Sequence, residues 1–368
     1  MEKNSRDILS LSQIKTKHMD TLYNYRQELV KKPILKMLFF ELTDCCNLSC
    51  LHCGSSSSPD KSKFLAFDLI KKVIDEVANK YNAKEIMICL TGGEPLLHPE
   101  FFRIADYIVS KKFSYGITTN ATLIDDNMAQ KLYNSKLKSI SISLDGLEDK
   151  HDYFRNKIGA FNKTVAGIHN LYKYFGKSIP IQITTVIHKN NITQLDNMAE
   201  YFLSLPITSW RLTNIDPIGR AIKNNTLMLD KDDYIKLFDY IYKKRISTKN
   251  IEIVYGCAHY LTLLYERELR EYYFICGSGI YVASILCNGD IFSCLDIERR
   301  SDLIQGNVKN DSFIDIWENK FQVFRRDRTN DCEMCSNCSD KKYCMADSTH
   351  TWDFENNAPK ICFKNNIF

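Results

Sequence analysis

From Ile34 onward the chain alternates short apolar runs with longer stretches of helical periodicity, and this alternation restricts its fold more than any other feature. LKMLFFELT (35–43), EIMICL (85–90), YGITTN (115–120), SISISL (139–144), PIQITTVI (180–187) and WRLTNI (210–215) read as strands. Each is followed by a helical pattern: 67–81, 101–109, 129–135, 163–175, 192–205 and 230–245. In the first of these, Leu69, Ile70, Val73, Ile74, Val77 and Ala78 recur at helical spacing. Six strand–helix steps with crossovers of this length require parallel strands and an α/β fold. Periodicity leaves open whether the sheet is doubly wound or curls toward a barrel.

The pattern breaks near Ile253. Beyond it come hairpin-like pieces such as IYVASILCNGDIFSCL (280–295), with Asn288, Gly289 and Asp290 at the turn. The last 40 residues are rich in Cys, Asn, Asp and Lys and poor in aliphatic side chains, so a cross-linking agent is expected to hold them. A boundary near residues 246–256 divides the chain into an extension (1–33), an α/β unit (34–250) and a small Cys-rich unit (251–368). The first 30 residues are expected to carry a surface helix and little else.

Composition limits the partners. The 49 basic and 45 acidic residues give a net charge of only +4 without long blocks, so neither a nucleic acid nor a membrane surface is expected as a partner. The start MEKNSRDILSLSQIKTKHMD has no apolar signal region, and no run reaches the roughly 20 apolar residues that span a bilayer. The 14 cysteines are unevenly placed: four lie between Cys45 and Cys53 and eight between Cys276 and Cys362. A disulfide-dense secreted chain is normally smaller. A reducing cytoplasm and metal-bound thiolates are the expectation.

Cys46, Cys50 and Cys53 follow directly on the first strand with x3 and x2 spacing. They converge only if the loop wraps around something, and soft thiolates select zinc, Cu(I) or iron–sulfur. Zinc, with His52 or Cys45 as fourth ligand, stays open at this point. The set CxxxCxxC after a first strand resembles the signature of the radical S-adenosylmethionine superfamily. That resemblance implies a [4Fe–4S] cluster on Cys46, Cys50 and Cys53, with S-adenosyl-L-methionine chelating the fourth iron, and a partial (β/α)6 TIM-like barrel. Thr91-Gly92-Gly93-Glu94-Pro95, one strand–helix unit later, is similar to the family's GGE motif. It implies contact of Gly92 and Gly93 with the cofactor's amino group, assisted by Glu94. By the same resemblance Asn120 and Ser143, at strand ends, and Arg155 are expected cofactor contacts. Asp145, Asp216 and Tyr115 are the candidate catalytic bases.

The tail reads Cys276-x12-Gly289-x4-Cys294, then Cys335-x2-Cys338-x5-Cys344, then Cys362. It resembles the SPASM extension of radical enzymes that modify peptides, matching six of the seven cysteines. Ser348 stands where the seventh is expected. The resemblance implies two auxiliary clusters. Cys335, Cys338, Cys344 and Cys362 would hold one. Cys276 and Cys294 would begin the other, completed by Cys332 or Cys287, by oxygen from Asp347 or Ser348, or left with an open iron. Cys257 also remains unassigned, while Cys45 and Cys89 are expected to be bystanders.

The implied activity is that of a maturase of a ribosomally made peptide, forming a thioether or carbon–carbon crosslink after hydrogen abstraction from Cα or Cβ. Implied partners are the precursor peptide or protein and an electron donor such as flavodoxin or ferredoxin; leader recognition is left to the barrel and tail, to a separate leader-binding protein, or to neither. Formylglycine formation in a sulfatase, peptide epimerisation and a non-catalytic metal-binding scaffold are the alternatives.

Overall fold

The computed structural model describes residues 5–346 and 348–364. Helix α1 (Ser5–Lys31) precedes strand β1 (Met37–Glu41). There follow α2 (Phe67–Lys80), β2 (Met87–Thr91), α3 (Phe101–Ser110), β3 (Ser114–Thr119), α4 (Asp126–Asn134) and β4 (Ser139–Ser143). Then come α5 (Glu148–Arg155), α6 (Ala160–Phe175), β5 (Ile181–Ile187), α7 (Leu195–Phe202), β6 (Ser209–Asn214), α8 (Lys231–Ser247) and β7 (Glu252–Tyr255). All six expected strand–helix steps are present. The short α5 has no long apolar run to announce it.

Strands β1 to β7 pair in parallel and in sequence order. An order without reversal sends every right-handed crossover to the same face, so the helices form one outer layer. This decides between the two α/β arrangements: the sheet is singly wound, a partial barrel with open edges. Outward side chains such as Leu38, Phe40, Ile88, Leu90, Ile140 and Ile183 are fully or almost fully buried against the helices. The alternate rows turn small polar residues inward, and Thr91, Ser143, Thr184 and Thr213 line a cavity on the concave side.

The Cys-rich region extends the same sheet. Strand β8 (Val282–Ile285) pairs in parallel with β1, β9 (Asp290–Phe292) pairs antiparallel with β8, and β10 (Gly306–Asn307) pairs antiparallel with β9. Strand β7 lies past residue 250 and caps the opposite edge beside β6. The parallel sheet thus runs beyond the expected boundary, because β6 needs a partner for its outer row of amides. Helix α1 is more than a surface addition. Its Met19 is buried with Tyr260, Phe274 and Cys276, and Lys15 pairs with Glu268 at 2.8 Å. Among the described residues no helix is long and apolar enough to cross a membrane.

A chain ending at residue 250 would lose β7 and β8 and expose both flanks of the parallel sheet; it is expected to aggregate on size-exclusion chromatography. Ile285, fully buried in β8, tests the same coupling in the whole chain. Ile285→Ala is expected to destabilise it by about 2–5 kcal/mol in chemical denaturation.

Candidate functional site

The cysteine loop leaves β1 at the carboxyl end of the sheet, where parallel α/β folds place their sites. Two backbones press on it. The Gly93 amide donates to the Thr43 carbonyl at 2.7 Å and the Glu94 amide to the Cys45 carbonyl at 2.9 Å. A Cβ on Gly93 would stand 2.1 Å from the Cys45 oxygen, and Gly92 has φ of +149° with Thr43 oxygen 2.6 Å from its missing Cβ. The two glycines are therefore required by the approach of one loop to the other. From the other side Arg220, in the turn after β6, donates through Nε to the Cys50 carbonyl at 2.7 Å and through Nη1 to the Ser57 carbonyl at 2.8 Å. Sequence reasoning missed Arg220, which no local spacing ties to the cysteines.

Cys46 and Cys50 are buried, and burial pushes the Cys46 thiol up to about 12. Burial also raises Cys50, against the pull of Arg155. The neighbours are few and weak: the Leu48 amide 3.4 Å and Asn120 Nδ2 3.9 Å from Cys46 Sγ, and Arg155 Nη1 3.6 Å from Cys50 Sγ. The buried Cys46 and Cys50 thiols ionise only if a cation compensates them. The donor set fits an iron–sulfur cluster, whose iron supplies that charge and whose binding releases protons.

Several expected contacts line the cavity: Gly92, Gly93, Asn120, Ser143, Arg155 and Asp216. Glu94 does not. Its carboxylate accepts from the Thr119 hydroxyl at 2.8 and 2.9 Å, the Asn120 amide at 2.9 Å and the Leu96 amide at 3.3 Å, tying the ends of β2 and β3 together. Burial raises its pKa to about 7. Two base candidates are corrected. Asp145 is fully buried and committed to Arg155 Nε and Nη2, each at 2.5 Å, and to the Val186 amide at 2.9 Å. It holds the arginine that faces Cys50. Tyr115 shares the outward parity of Ile117 on β3, and its hydroxyl meets Ser135 Oγ at 2.6 Å at the end of α4, away from the cavity.

The cavity, about 480 Å³, is shared. Cys46, Cys50 and Cys53 line it together with Cys257, Cys276 and Cys294. Burial raises the Cys294 thiol, with Asp296 and Cys276 adding to the shift. Cys276 Sγ lies 3.6 Å from Thr349 Oγ1, beside Ser348. Arg299 reaches from the Cys-rich region to make a two-pronged pair with Glu41, the last residue of β1, at 2.8 and 2.9 Å. Cys287 does not line this cavity; its amide donates to Glu41 Oε2 at 3.1 Å, the oxygen that also accepts from Arg299 Nη1. Cys335, Cys338, Cys344, Cys362 and Ser348 line a second, smaller cavity. Cys332 packs with Cys335, Ala346 and Trp352. It belongs with that second group and does not join the Cys276–Cys294 wall, so it is not placed to complete their site. Asp347 lies outside the described residues.

The Radical SAM superfamily model matches residues 40–202, and a model described as an iron-sulfur cluster-binding domain, SPASM, matches residues 276–339. The chain is 31% identical over 327 residues to the AdoMet-dependent heme synthase of Methanosarcina barkeri, covering 84% of this chain and 90% of that protein. It is 27% identical to the mycofactocin maturase MftC of Mycobacterium tuberculosis, over 83% of this chain and 76% of the relative. The fold superposes on native anSMEcpe with bound AdoMet and Cp18Cys peptide with a TM-score of 0.66 at 20% identity, covering 87% and 90% of the two chains. The chain belongs to the radical SAM superfamily and carries a SPASM iron–sulfur domain. It is an S-adenosylmethionine-dependent enzyme related to peptide- and protein-modifying maturases.

Two outcomes test this geometry. Asp145→Ala leaves the buried Arg155 guanidinium without its carboxylate and is expected to cost about 3–5 kcal/mol in denaturation. Glu94 supplies a pH test. Between 4.5 and about 7 the folded cofactor-free protein holds a proton there that the unfolded chain has released. Stability from this group is full below 4.5 and is lost as pH rises toward 7. Relative to Glu94→Gln, the wild type should lose about 3 kcal/mol across that window in pH-dependent denaturation.

Proposed function

We propose that the protein is a maturase of a ribosomally synthesised peptide, removing a hydrogen from Cα or Cβ and forming a thioether or carbon–carbon crosslink. One observation carries this reading: a single cavity has the CxxxCxxC thiols on one wall and Cys276 and Cys294 on another. A side chain entering it meets both metal-binding walls, as a radical oxidation followed by bond formation requires. When bound, S-adenosylmethionine and the cluster on Cys46, Cys50 and Cys53 supply hydrogen abstraction from an unactivated carbon. The chain's own contribution is positioning. Gly92, Gly93, Asn120 and Ser143, all on the cavity wall, would be the residues to contact the cofactor's amino and ribose groups. Arg155, anchored by Asp145, faces the cluster thiolate of Cys50. The apolar outer layer of helices and the Glu41–Arg299 pair in the cavity wall would exclude water and fix which carbon is reached.

A second reading has a specific observation in its favour. The most identical of the relatives named above is a heme synthase, and Arg211, Arg220 and Arg299 line the same cavity, which suits a carboxylate-bearing heme precursor.

Anaerobic incubation with dithionite, S-adenosylmethionine and the peptide encoded beside the gene distinguishes these. A product lighter by two hydrogens is expected. One solvent deuterium gained without other mass change would mean epimerisation, and an aldehyde in place of a thiol would mean formylglycine; either overturns the crosslinking reading. Turnover of a heme precursor with an unmodified peptide would establish the second. Iron analysis is expected to give about twelve irons per chain for three four-iron clusters, falling by about four in Cys276→Ala and in Cys335→Ala. A native content near four would remove both auxiliary clusters.

A further inference from the structure

Three side chains from distant segments meet at the junction of the two cavities. Asp216 follows β6, His259 follows β7, and His350 lies in the helical turn Thr349–Thr351. Asp216 Oδ1 is 3.6 Å from His259 Nε2, and Asp216 Oδ2 is 3.5 Å from His350 Nε2. One ligand atom from each residue lies within 4.8 Å of the other two. The imidazole rings stand 4.6 Å apart and are inclined by 56°. The 3.5 and 3.6 Å separations are too long for good hydrogen bonds. They are close to the ~3.4 Å that separates two nitrogen or oxygen ligands held at ~2.1 Å from one tetrahedral ion.

The electrostatics agree with the distances. His259 is 1% exposed, and its Nε2 has no hydrogen-bond partner among the described residues. A buried nitrogen left this way is destabilising, and a bound ion would remove that cost. Burial lowers His259 to about 4, so the imidazole is neutral and keeps a lone pair. Burial opposes ionisation of Asp216, but His350, His259 and Asn214 outweigh it and hold the carboxyl below its usual range. An outer layer is also in place. Asn214 Nδ2 donates to Asp216 Oδ1 at 2.8 Å, and the Tyr255 hydroxyl donates to Asn214 Oδ1. Arg270 Nη2 fixes the His259 carbonyl at 2.7 Å. Such supports orient metal ligands.

We propose that Asp216, His259 and His350 bind a divalent transition ion, zinc or ferrous iron, separate from the iron–sulfur sites. Two imidazoles and a carboxylate suit these ions, and the absence of thiolate among the three sets the site apart from the cysteine groups. Asp216 and His350 face the main cavity, which leaves a coordination position open to a water or to an oxygen or sulfur of the substrate. His259 lies on the wall of the smaller cavity. The site holds whichever substrate is modified, and its test needs no turnover.

The full-length protein, purified anaerobically with its clusters, is loaded with zinc, passed over a chelating resin and analysed for zinc and iron. About one zinc per chain is expected, with a nitrogen/oxygen shell at about 2.0–2.1 Å in X-ray absorption, a readout that requires no variant to fold. His350→Ala and Asp216→Ala should each lower zinc retention at least about tenfold with the iron count unchanged, and Asn214→Ala should weaken it by about 10–100-fold. A high-spin ferrous signal in Mössbauer spectra, lost in the same variants, supports the site and assigns iron. Failure to retain either ion overturns the proposal, as does a sulfur shell at about 2.3 Å, which would place zinc on cysteines. Loss of cluster iron in His350→Ala also overturns it, since His350 would then be a cluster ligand.

Discussion

Burial of the Cys46 and Cys50 thiols at the open end of a parallel sheet governs much of what surrounds them. In an apolar setting these thiols stay protonated unless positive charge is brought close, and burial alone lifts Cys46 to about 12. Arg155 is the nearest cation and stands 3.6 Å from Cys50. It in turn needs Asp145 beneath it, since a buried guanidinium without a carboxylate is costly. The loop cannot relax outward. Gly92 and Gly93 press on it from β2, and Arg220 holds its carbonyls from beyond β6. Strand order, glycine placement and the buried ion pair all serve one loop.

The Cys-rich region extends the open sheet at both of its flanks. Strand β8 lies against β1 and β7 against β6, so the region touches both flanks of the parallel sheet. Arg299 pairs with Glu41 in the cavity wall, and Cys276 and Cys294 become part of the same wall. A cavity lying between two cysteine walls arises from this arrangement. Neither segment contains it alone.

Local features of the sequence were good guides wherever chemistry and spacing coincide. The strands lie within a few residues of their apolar runs, because a five- or six-residue run is itself the local cause of a strand. CxxxCxxC needed only its loop, whereas the GG pair one unit later was read as a cofactor contact, and only the fold shows its glycines pressed against that loop. Side-chain direction was harder. Tyr115 sits on the right strand but at outward parity, and a shift of one residue reverses a strand side chain. Asp145 looked free to act as a base because its partner, Arg155, lies ten residues on, at the end of a helix with no apolar signal.

The sequence by itself determined the parallel α/β architecture, the thiol loop after the first strand and a second group of cysteines that needs metal to hold it. These follow from contacts within a few residues, where spacing and geometry are nearly the same statement. Tertiary structure decided the rest. It alone chose a singly wound partial barrel over a doubly wound sheet, set Cys332 with Cys335, and joined Glu41 to Arg299 across 258 residues. It also gathered Asp216, His259 and His350 from three segments. The reason is physical: which distant side chains meet depends on how far the sheet curls and which helix caps its edge, and neither is encoded by local spacing.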